Sequence, residues 1–307
     1  MKKYIILVPI YNDRESLKTL IDNINEEIKG LNVEISIVII NDASSQQIID
    51  NYENTENINS IEIINMKQNR GHARCIASGL KYIFEKKEFD YVIPMDGDGE
   101  DRPEEIKNFI ELSKEAGDRS IVGERVKRSE GLFFKFCYSI HKLITFTFAG
   151  ETIKYGNYSC LPKSIVEKMI NEKATWSSFS GSLAKVAKDR VGIPSERGTR
   201  YFGPSKMSFK NLIIHSLAII SVFKKKVLIR SILFQLVYVF LIHQKISIIM
   251  LIPVVSVFAL LFSPLAESFG GGPGGGFGLF VHECEWRRGS RQMAEPLSWA
   301  TRESISS

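Results

Sequence analysis

Cysteine is scarce in this sequence, and the little there is carries no pattern. Cys75, Cys137, Cys160 and Cys284 show no CxxC spacing, which excludes a disulfide framework and leaves reduced thiols in a cytosolic compartment as the expectation. An excess of one charge is lacking too. Against 35 Asp and Glu stand 40 Lys and Arg, a net +5, and the basic residues are spread along the chain rather than gathered in one block. Nucleic acid is therefore not an expected partner, while a membrane surface stays open. The start, MKKYIILVPIYNDRE, lacks an apolar core long enough for a signal peptide: Tyr4 to Val8 is followed by Pro9 and then by Asn12-Asp13-Arg14-Glu15, with no small-residue cleavage site. It reads as a buried first β-strand. No glycine-rich triphosphate loop follows that strand.

What the sequence does have is alternation. Its 307 residues suffice for one large domain plus an addition, or for two domains. KYIILVPI reads as a strand, RESLKTLIDNINEEI as a helix, and EISIVIIND as a continuous β-branched run typical of a buried parallel strand. IEIINM, DYVIPMD and RSIVGER read as further strands, with helices at GHARCIASGLKYIFEK and PEEIKNFIELSKEA between them. This order predicts an α/β, doubly wound, mostly parallel sheet of the Rossmann-like kind. Ligands of such sheets sit beyond the carboxyl ends of the strands. Polar residues gather there: Tyr11-Asn12-Asp13, Asn41-Asp42, Asp96-Gly97-Asp98 and Glu124-Arg125. From residue 126 to about 210 the pattern is less regular, with an aromatic-faced helix over SEGLFFKFCYSIHKLITFTF and a basic, turn-rich stretch ERGTRYFGPSKMSFKNL.

The strongest local signal is YVIPMDGDGEDRPEE, where a strand ends in four carboxylates within six residues, Asp96 to Asp101. Such charges repel unless something compensates them. A solvated acidic turn is the plain explanation. A divalent-metal site is the sharper one, because hard oxygen donors suit Mg²⁺ or Mn²⁺. Gly97 and Gly99 let a bulky ligand approach the backbone. A metal held by one or two carboxylates keeps positions for substrate phosphates, which fits a nucleoside diphosphate.

ILVPIYND, VIINDAS, NRGHARCIASGL, MDGDGEDRPEE, VGERVKRSEG and RYFGPSKMS occur in this order. Taken together, the chain resembles family 2 glycosyltransferases of the GT-A fold, and more narrowly the polyprenyl-phosphate glycosyltransferases related to dolichyl-phosphate mannose synthase. The likeness runs from residue 3 to about 262. It implies that Pro9, Tyr11, Asp13, Asp42, Asp96, Gly97, Arg200 and Lys206 bind the nucleotide sugar, with Asp13 standing where the family usually has Glu. Asp42 would accept a hydrogen bond from the base; an Asx-turn with Ser44 and Ser45 is its alternative role. Asp96, Asp98 and Glu100, the last at a position often held by Gln, would hold the metal. Arg200 and Lys206, with Ser205, would stabilise the departing diphosphate, or else contact anionic lipid head groups. Arg125, Lys135 and Ser139 would hold the acceptor phosphate, Lys135 and Ser139 lying four apart on one helical face, although ordinary helix polarity also accounts for them. Asp98 and Arg125 would carry the catalysis.

The resemblance implies a UDP- or GDP-linked sugar donor and a polyprenyl phosphate acceptor, undecaprenyl or dolichyl. Self-association as a homo-oligomer stays open. A lipid phosphate is already largely anionic at neutral pH, with a second pKa of about 6 by analogy with phosphorylated side chains, so it can attack the anomeric carbon without a strong base, inverting that centre. A hydroxyl acceptor in a glycan or lipid-linked sugar would instead require a carboxylate base, with Asp101 or Glu124 as the places to look. An inactive membrane scaffold should have lost the metal carboxylates. A sugar-nucleotide nucleotidyltransferase should show the missing glycine-rich loop.

The domain plan that follows is a catalytic domain over 1–210, a juxtamembrane amphipathic helix over 211–226 and a two-helix membrane hairpin over 227–264. Each half of the hairpin has about 16 to 17 apolar residues, slightly under the roughly 20 of a usual span, so a pair of core helices or a re-entrant hairpin is the alternative reading. Arg230 lies near its first edge, where it can snorkel. Lys224, Lys225 and Lys226 precede the first half and only Lys245 marks the tip, so the catalytic domain is expected on the cytoplasmic side of the cell membrane, with the protein integral to it. Residues 265–307 change composition at GGGPGGG and read as a linker and a poorly structured tail, compatible with a foreign or frame-shifted terminus.

Overall fold

A computed structural model of the chain describes residues 1–46, 52, 55–127, 139, 143, 145–203, 218–242, 252–256 and 287–288. The alternation is realised as β1 (Lys3–Ile10), α1 (Arg14–Glu27), β2 (Glu34–Asn41), β3 (Ser60–Asn65), α2 (His72–Lys86), β4 (Tyr91–Pro94), α3 (Ile106–Ala116) and β5 (Ile121–Lys127). Pro103 opens a single 3₁₀ turn, Pro103–Glu105, before α3, as its fixed φ and missing amide hydrogen favour. Then come β6 (Tyr155–Pro162), α4 (Lys163–Asn171), α5 (Phe179–Val186), β7 (Val191–Glu196), α6 (Lys224–Ile242) and a two-residue strand β8 (Arg287–Arg288).

The strands form one sheet in the order β7-β5-β6-β4-β1-β2-β3-β8. Neighbours β4, β1, β2 and β3 are parallel, and so are β5 and β7. Between those two blocks lies β6, antiparallel to both β4 and β5. The sheet is thus mixed, where the sequence predicts a mostly parallel one with an irregular region after residue 126. The reason is legible in β6 itself. Its YGNYSCLP run carries Gly, Asn, Ser and Pro, residue types that strands disfavour, and it pairs in the middle of the sheet because both neighbours supply hydrogen bonds and cover.

Alternation along β1 feeds two cores. Tyr4, Ile6, Val8 and Ile10 face the layer containing Leu17, Leu20, Ile21 and Ile24 of α1 and Phe109 and Ile110 of α3. Ile5 and Leu7 face the opposite layer, with Ile76, Leu80 and Ile83 of α2, Val166 and Met169 of α4, and Leu183 of α5. Each fully buried aliphatic side chain contributes about 1.5–3 kcal/mol, so the two cores hold the carboxyl ends of β1, β2 and β4 at fixed spacing.

α6 packs against the short π-helical turn Thr145–Ala149. Arg230 donates from Nη1 to the Phe146 and Thr147 carbonyls at 3.1 Å each, and Lys226 pairs with Glu151 at 2.8 Å. The Phe146 carbonyl also accepts from the Gly150 amide at 3.0 Å, so the exposed guanidinium adds a second donor to the end of this turn. The rest of α6 is apolar and exposed, including Ile229, Leu233, Leu236, Val237, Phe240 and Leu241. Its polar Gln235 is buried and donates to the Val254 carbonyl at 3.4 Å, joining α6 to the helical residues 252–256. Among the described residues no helix is long and apolar enough to cross a membrane. The hairpin tip and most of its second half lie outside the described residues.

Candidate active site

β1, β2 and β4 end side by side, and their following loops make one wall. After β1, Asn12 takes a left-handed φ of 49°, a conformation Asn tolerates better than most residues. Its side-chain oxygen accepts from the Ser45 amide at 2.8 Å, and its own amide donates to the Ser44 hydroxyl at 2.9 Å. The loops after β1 and β2 are thereby tied, with Tyr11 left exposed beside them. Pro9 is buried at the end of β1, and a Cβ on Gly97 would stand 3.3 Å from its carbonyl oxygen. The acidic turn therefore lies directly against the β1 terminus.

Asp42 is 3% exposed. Its two oxygens accept from the Arg70 and Gly71 amides at 2.7 and 2.8 Å, clamping the loop into α2. The Asx-turn goes to the neighbouring residue, with the Ser44 amide on the Asn41 side chain at 3.0 Å. Each Asp42 oxygen keeps a second acceptor lone pair.

The acidic turn closes on itself. Asp98 Oδ1 accepts from the Glu100 amide at 3.0 Å, and Asp101 Oδ2 accepts from the Asp96 amide at 2.9 Å. Asp96 Oδ1 lies 3.2 Å from His72 Nε2 and 3.5 Å from Asn157 Nδ2. Burial works against ionisation of Asp96, but His72, Arg125 and Asn157 outweigh it and hold the carboxyl well below the usual range. Partial desolvation opposes a charge on the half-exposed His72, and the Asp96 carboxylate overcomes it, raising the imidazole above its ordinary value. Asp98 is raised by burial and then by the Asp96 charge. Asp101 is pushed up to about 8, first by burial and then by Asp96.

The segment after β7 covers this turn. Gly198 N donates to the Glu100 carbonyl and Tyr201 N to the Asp98 carbonyl, each at 2.9 Å. Arg197 bonds Glu100, and Arg200 spans Asp98 and Asp13, the latter at 2.7 Å. The Tyr201 ring lies over Gly99, where a Cβ would come within 2.7 Å of it, and φ at Gly99 is +88°; only glycine meets both demands. Tyr201 reaches on to Asn23 of α1 through its hydroxyl at 2.9 Å. Beneath the cover, the buried Glu105 takes the Ser195 hydroxyl at 2.7 Å and the Glu196 amide at 2.8 Å, fixing where β7 ends.

Of the expected residues, the structure brings Asp13, Asp96, Gly97, Asp98, Glu100 and Arg200 together, with Pro9, Tyr11 and Asp42 on the adjoining wall. Arg125 lies close enough to lower the Asp96 and Asp101 carboxyls, its guanidinium running beside Gly156 of β6. Ser139 is helical and exposed. Lys135, Ser205 and Lys206 lie outside the described residues. His72, Asn157, Arg197, Tyr201 and Glu105 were not singled out from sequence. His72 and Arg197 sit inside quoted motifs, NRGHARC and ERGTRY, so their position was a signal; Asn157 belongs to the strand that sequence did not reveal.

Among the described residues, no three His, Cys, Asp or Glu side chains converge as a ready metal site, and Glu100 is engaged by Arg197 rather than turned beside Asp98. The donor set nevertheless fits a divalent cation that takes one or two carboxylates from protein. Asp96 and Asp98 supply hard oxygens, and the turn already draws one cation, the Arg200 guanidinium, onto Asp98.

Comparison with known proteins adds three findings. The family model described as Glycosyl transferase family 2 matches residues 5–169. A curated relative, the undecaprenyl-phosphate 4-deoxy-4-formamido-L-arabinose transferase of Photorhabdus laumondii, is 30% identical over 225 residues, which are 69% of this chain and 65% of that protein, so the chain spans just under two thirds of its length. Among solved structures, glucosyl-3-phosphoglycerate synthase from Mycobacterium tuberculosis, in complex with Mn²⁺, UDP and glucosyl-3-phosphoglycerate, superposes with a TM-score of 0.51 at 11% identity, over 73% of this chain and 80% of that one. TarS of S. aureus with UDP-GlcNAc gives 0.50 at 15% identity, over 88% and 84%. The fold is the mixed α/β sheet of these GT-A enzymes.

Proposed function

The chain belongs to glycosyl transferase family 2, and from that membership we propose that it moves a sugar from a nucleotide-sugar donor to the phosphate of a polyprenyl lipid, with inversion, at the cytoplasmic face of a membrane. The observation that carries this reading is the acidic turn after β4, roofed by Arg197, Arg200 and Tyr201 and walled by Pro9, Tyr11 and Asp42. A nucleoside diphosphate needs such a place: acceptors for the base on one side, and cations for the phosphates on the other. The relative that acts on undecaprenyl phosphate, by its name, supports the lipid acceptor.

In this reading Asp42 and Tyr11 hold the base, Asp96 lies toward the ribose, and Asp96 and Asp98 are the carboxylates that would bind Mg²⁺ or Mn²⁺. When bound, that cation would neutralise charge building on the diphosphate as it leaves. Arg200 and Lys206 share that work on the donor side. Arg125, with Lys135 and Ser139, holds the acceptor phosphate. A phosphate nucleophile asks for positioning and charge neutralisation, not proton abstraction. The carboxylates that a hydroxyl acceptor would require are poorly disposed for it. Asp101 is buried and spends one oxygen on the Asp96 amide; Glu124 lies against Gly192 of β7.

Membrane anchoring through a hairpin over 227–264 completes the proposal. It is supported by the exposed apolar surface of α6, by the three lysines at its start and by the Gln235–Val254 bond, a polar link of the kind that joins helices in lipid. The test is a panel of UDP- and GDP-sugars offered to the membrane fraction with and without added polyprenyl phosphate. Transfer that depends on the lipid phosphate supports the reading, and transfer indifferent to it refutes it.

A further inference from the structure

We propose that Arg200 and the divalent cation compete for the Asp98 carboxylate, Arg200 turning from that carboxylate to the donor diphosphate as the cation takes its place. The inference rests on the reading of Asp98 as a metal carboxylate and deepens it by assigning an exchange to Arg200. Both Asp98 oxygens are already engaged: Oδ1 by the Glu100 amide at 3.0 Å, and Oδ2 by Arg200 Nη1. Nη2 of the same guanidinium holds Asp13 at 2.7 Å. Each oxygen keeps a second lone pair, but a divalent cation on Oδ2 would stand beside the Arg200 guanidinium, and that like-charge repulsion favours displacement of the arginine over its retention. Displacement leaves the turn intact, because the turn's backbone bonds hold regardless of where the side chain points. Gly198 N–Glu100 O and Tyr201 N–Asp98 O fix the backbone of the roof, so the exchange needs only rotation of a long side chain. Arg200 also has a reason to accept a new partner. Its Nε is buried and bonds no protein atom, and a diphosphate offers several oxygens to the planar fork of a guanidinium. One residue would thus keep the carboxylates compensated until a doubly charged cation replaces it, and then serve the leaving group.

The exchange predicts a result opposite to the usual loss on mutating a binding residue. Mn²⁺ binding to the full-length protein in detergent, without nucleotide, can be followed by the electron paramagnetic resonance signal of the free ion. Arg200→Gln should bind Mn²⁺ about tenfold more tightly than the parent, the scale of a released charge-assisted hydrogen bond, while its affinity for UDP falls. Arg200→Lys should also tighten Mn²⁺ binding, by less, because one ammonium cannot span two carboxylates as the fork does; it carries the test should Arg200→Gln fail to fold by circular dichroism. Arg197→Gln, which frees Glu100 instead of Asp98, should change Mn²⁺ affinity much less. Unchanged or weaker Mn²⁺ binding in both Arg200 variants overturns the exchange while leaving metal-dependent transfer intact as a separate reading. Equal tightening in Arg197→Gln also overturns it, since net charge alone would then account for the effect. Absence of Mn²⁺ binding to parent and variants alike overturns the exchange and the metal reading together.

Discussion

Asp96, Asp98 and Asp101 share one turn yet are held in three different states. Asp96 is kept ionised by His72 and Arg125, Asp98 is drawn upward but compensated by Arg200, and Asp101 is pushed up to about 8. The division supports the proposal that Asp98 serves the metal and Asp101 the architecture. Asp98→Asn should lower turnover about a hundredfold or more, as loss of a transition-state charge stabiliser does, while near-ultraviolet circular dichroism stays that of the parent. Asp101 gives a pH signature. Its carboxyl ionises near 3.8 in an unfolded chain and near 8 in the fold. Below the first value both states are protonated and stability is unaffected; between the two values only the unfolded state loses the proton, so stability falls as pH rises, and the penalty levels off above the second. Asp101→Asn, assayed in chelator, should therefore raise Tm over the parent at pH 8, with the gain vanishing toward pH 4. A gain independent of pH would contradict the burial argument. Sequence revealed these carboxylates because four charges closing a strand are rare without a purpose. It did not reveal His72 and Asn157 as their partners, since those arrive from α2 and β6 through folding alone.

At the scale of elements, the proposed function rests on the roof over the acidic turn and on the docking of α6. Gly198 approaches the turn so closely that a Cβ would lie 2.3 Å from the Gly99 carbonyl oxygen. Gly198→Ala should lift the roof, raising KM for the nucleotide sugar about tenfold or more while shifting Tm little, because the roof adds only the partly buried Tyr201 to the cores. A KM equal to the parent's would show that the roof does not close the donor site. Arg230 ties α6 to the turn Thr145–Ala149, which leads into β6 and Asn157. Arg230→Ala should speed amide hydrogen exchange over residues 145–151 and 224–231 and leave β1, β2 and β4 protected; uniform exchange would refute a local junction. The parallel strands β1 to β4 were legible because continuous β-branched runs allow few other structures. β6 was not, because its composition argues against a strand and only its neighbours overrule that. The Phe146 and Thr147 contacts of Arg230 were not legible either, because a charge beside an apolar run does not show which carbonyls the fold brings within its reach.

At the scale of the molecule, the sheet presents the site at one edge while the lysine-led apolar α6 departs from the same domain, an arrangement suited to an acceptor that lives in a bilayer. Protease added to sealed inverted vesicles should cut the catalytic domain, and in right-side-out vesicles should spare it; the reverse pattern would overturn the proposed orientation. The central claim is that the sugar is joined to a lipid phosphate through the carboxylates of the acidic turn. It is tested most directly by the linkage of the product formed from a labelled nucleotide sugar, polyprenyl phosphate and Mn²⁺. The account predicts a chloroform-soluble sugar released by mild acid, as a glycosyl phosphate is, formed by the parent and absent with Asp98→Asn or excess chelator. An acid-stable glycoside on a hydroxyl, or undiminished product in chelator, would contradict it.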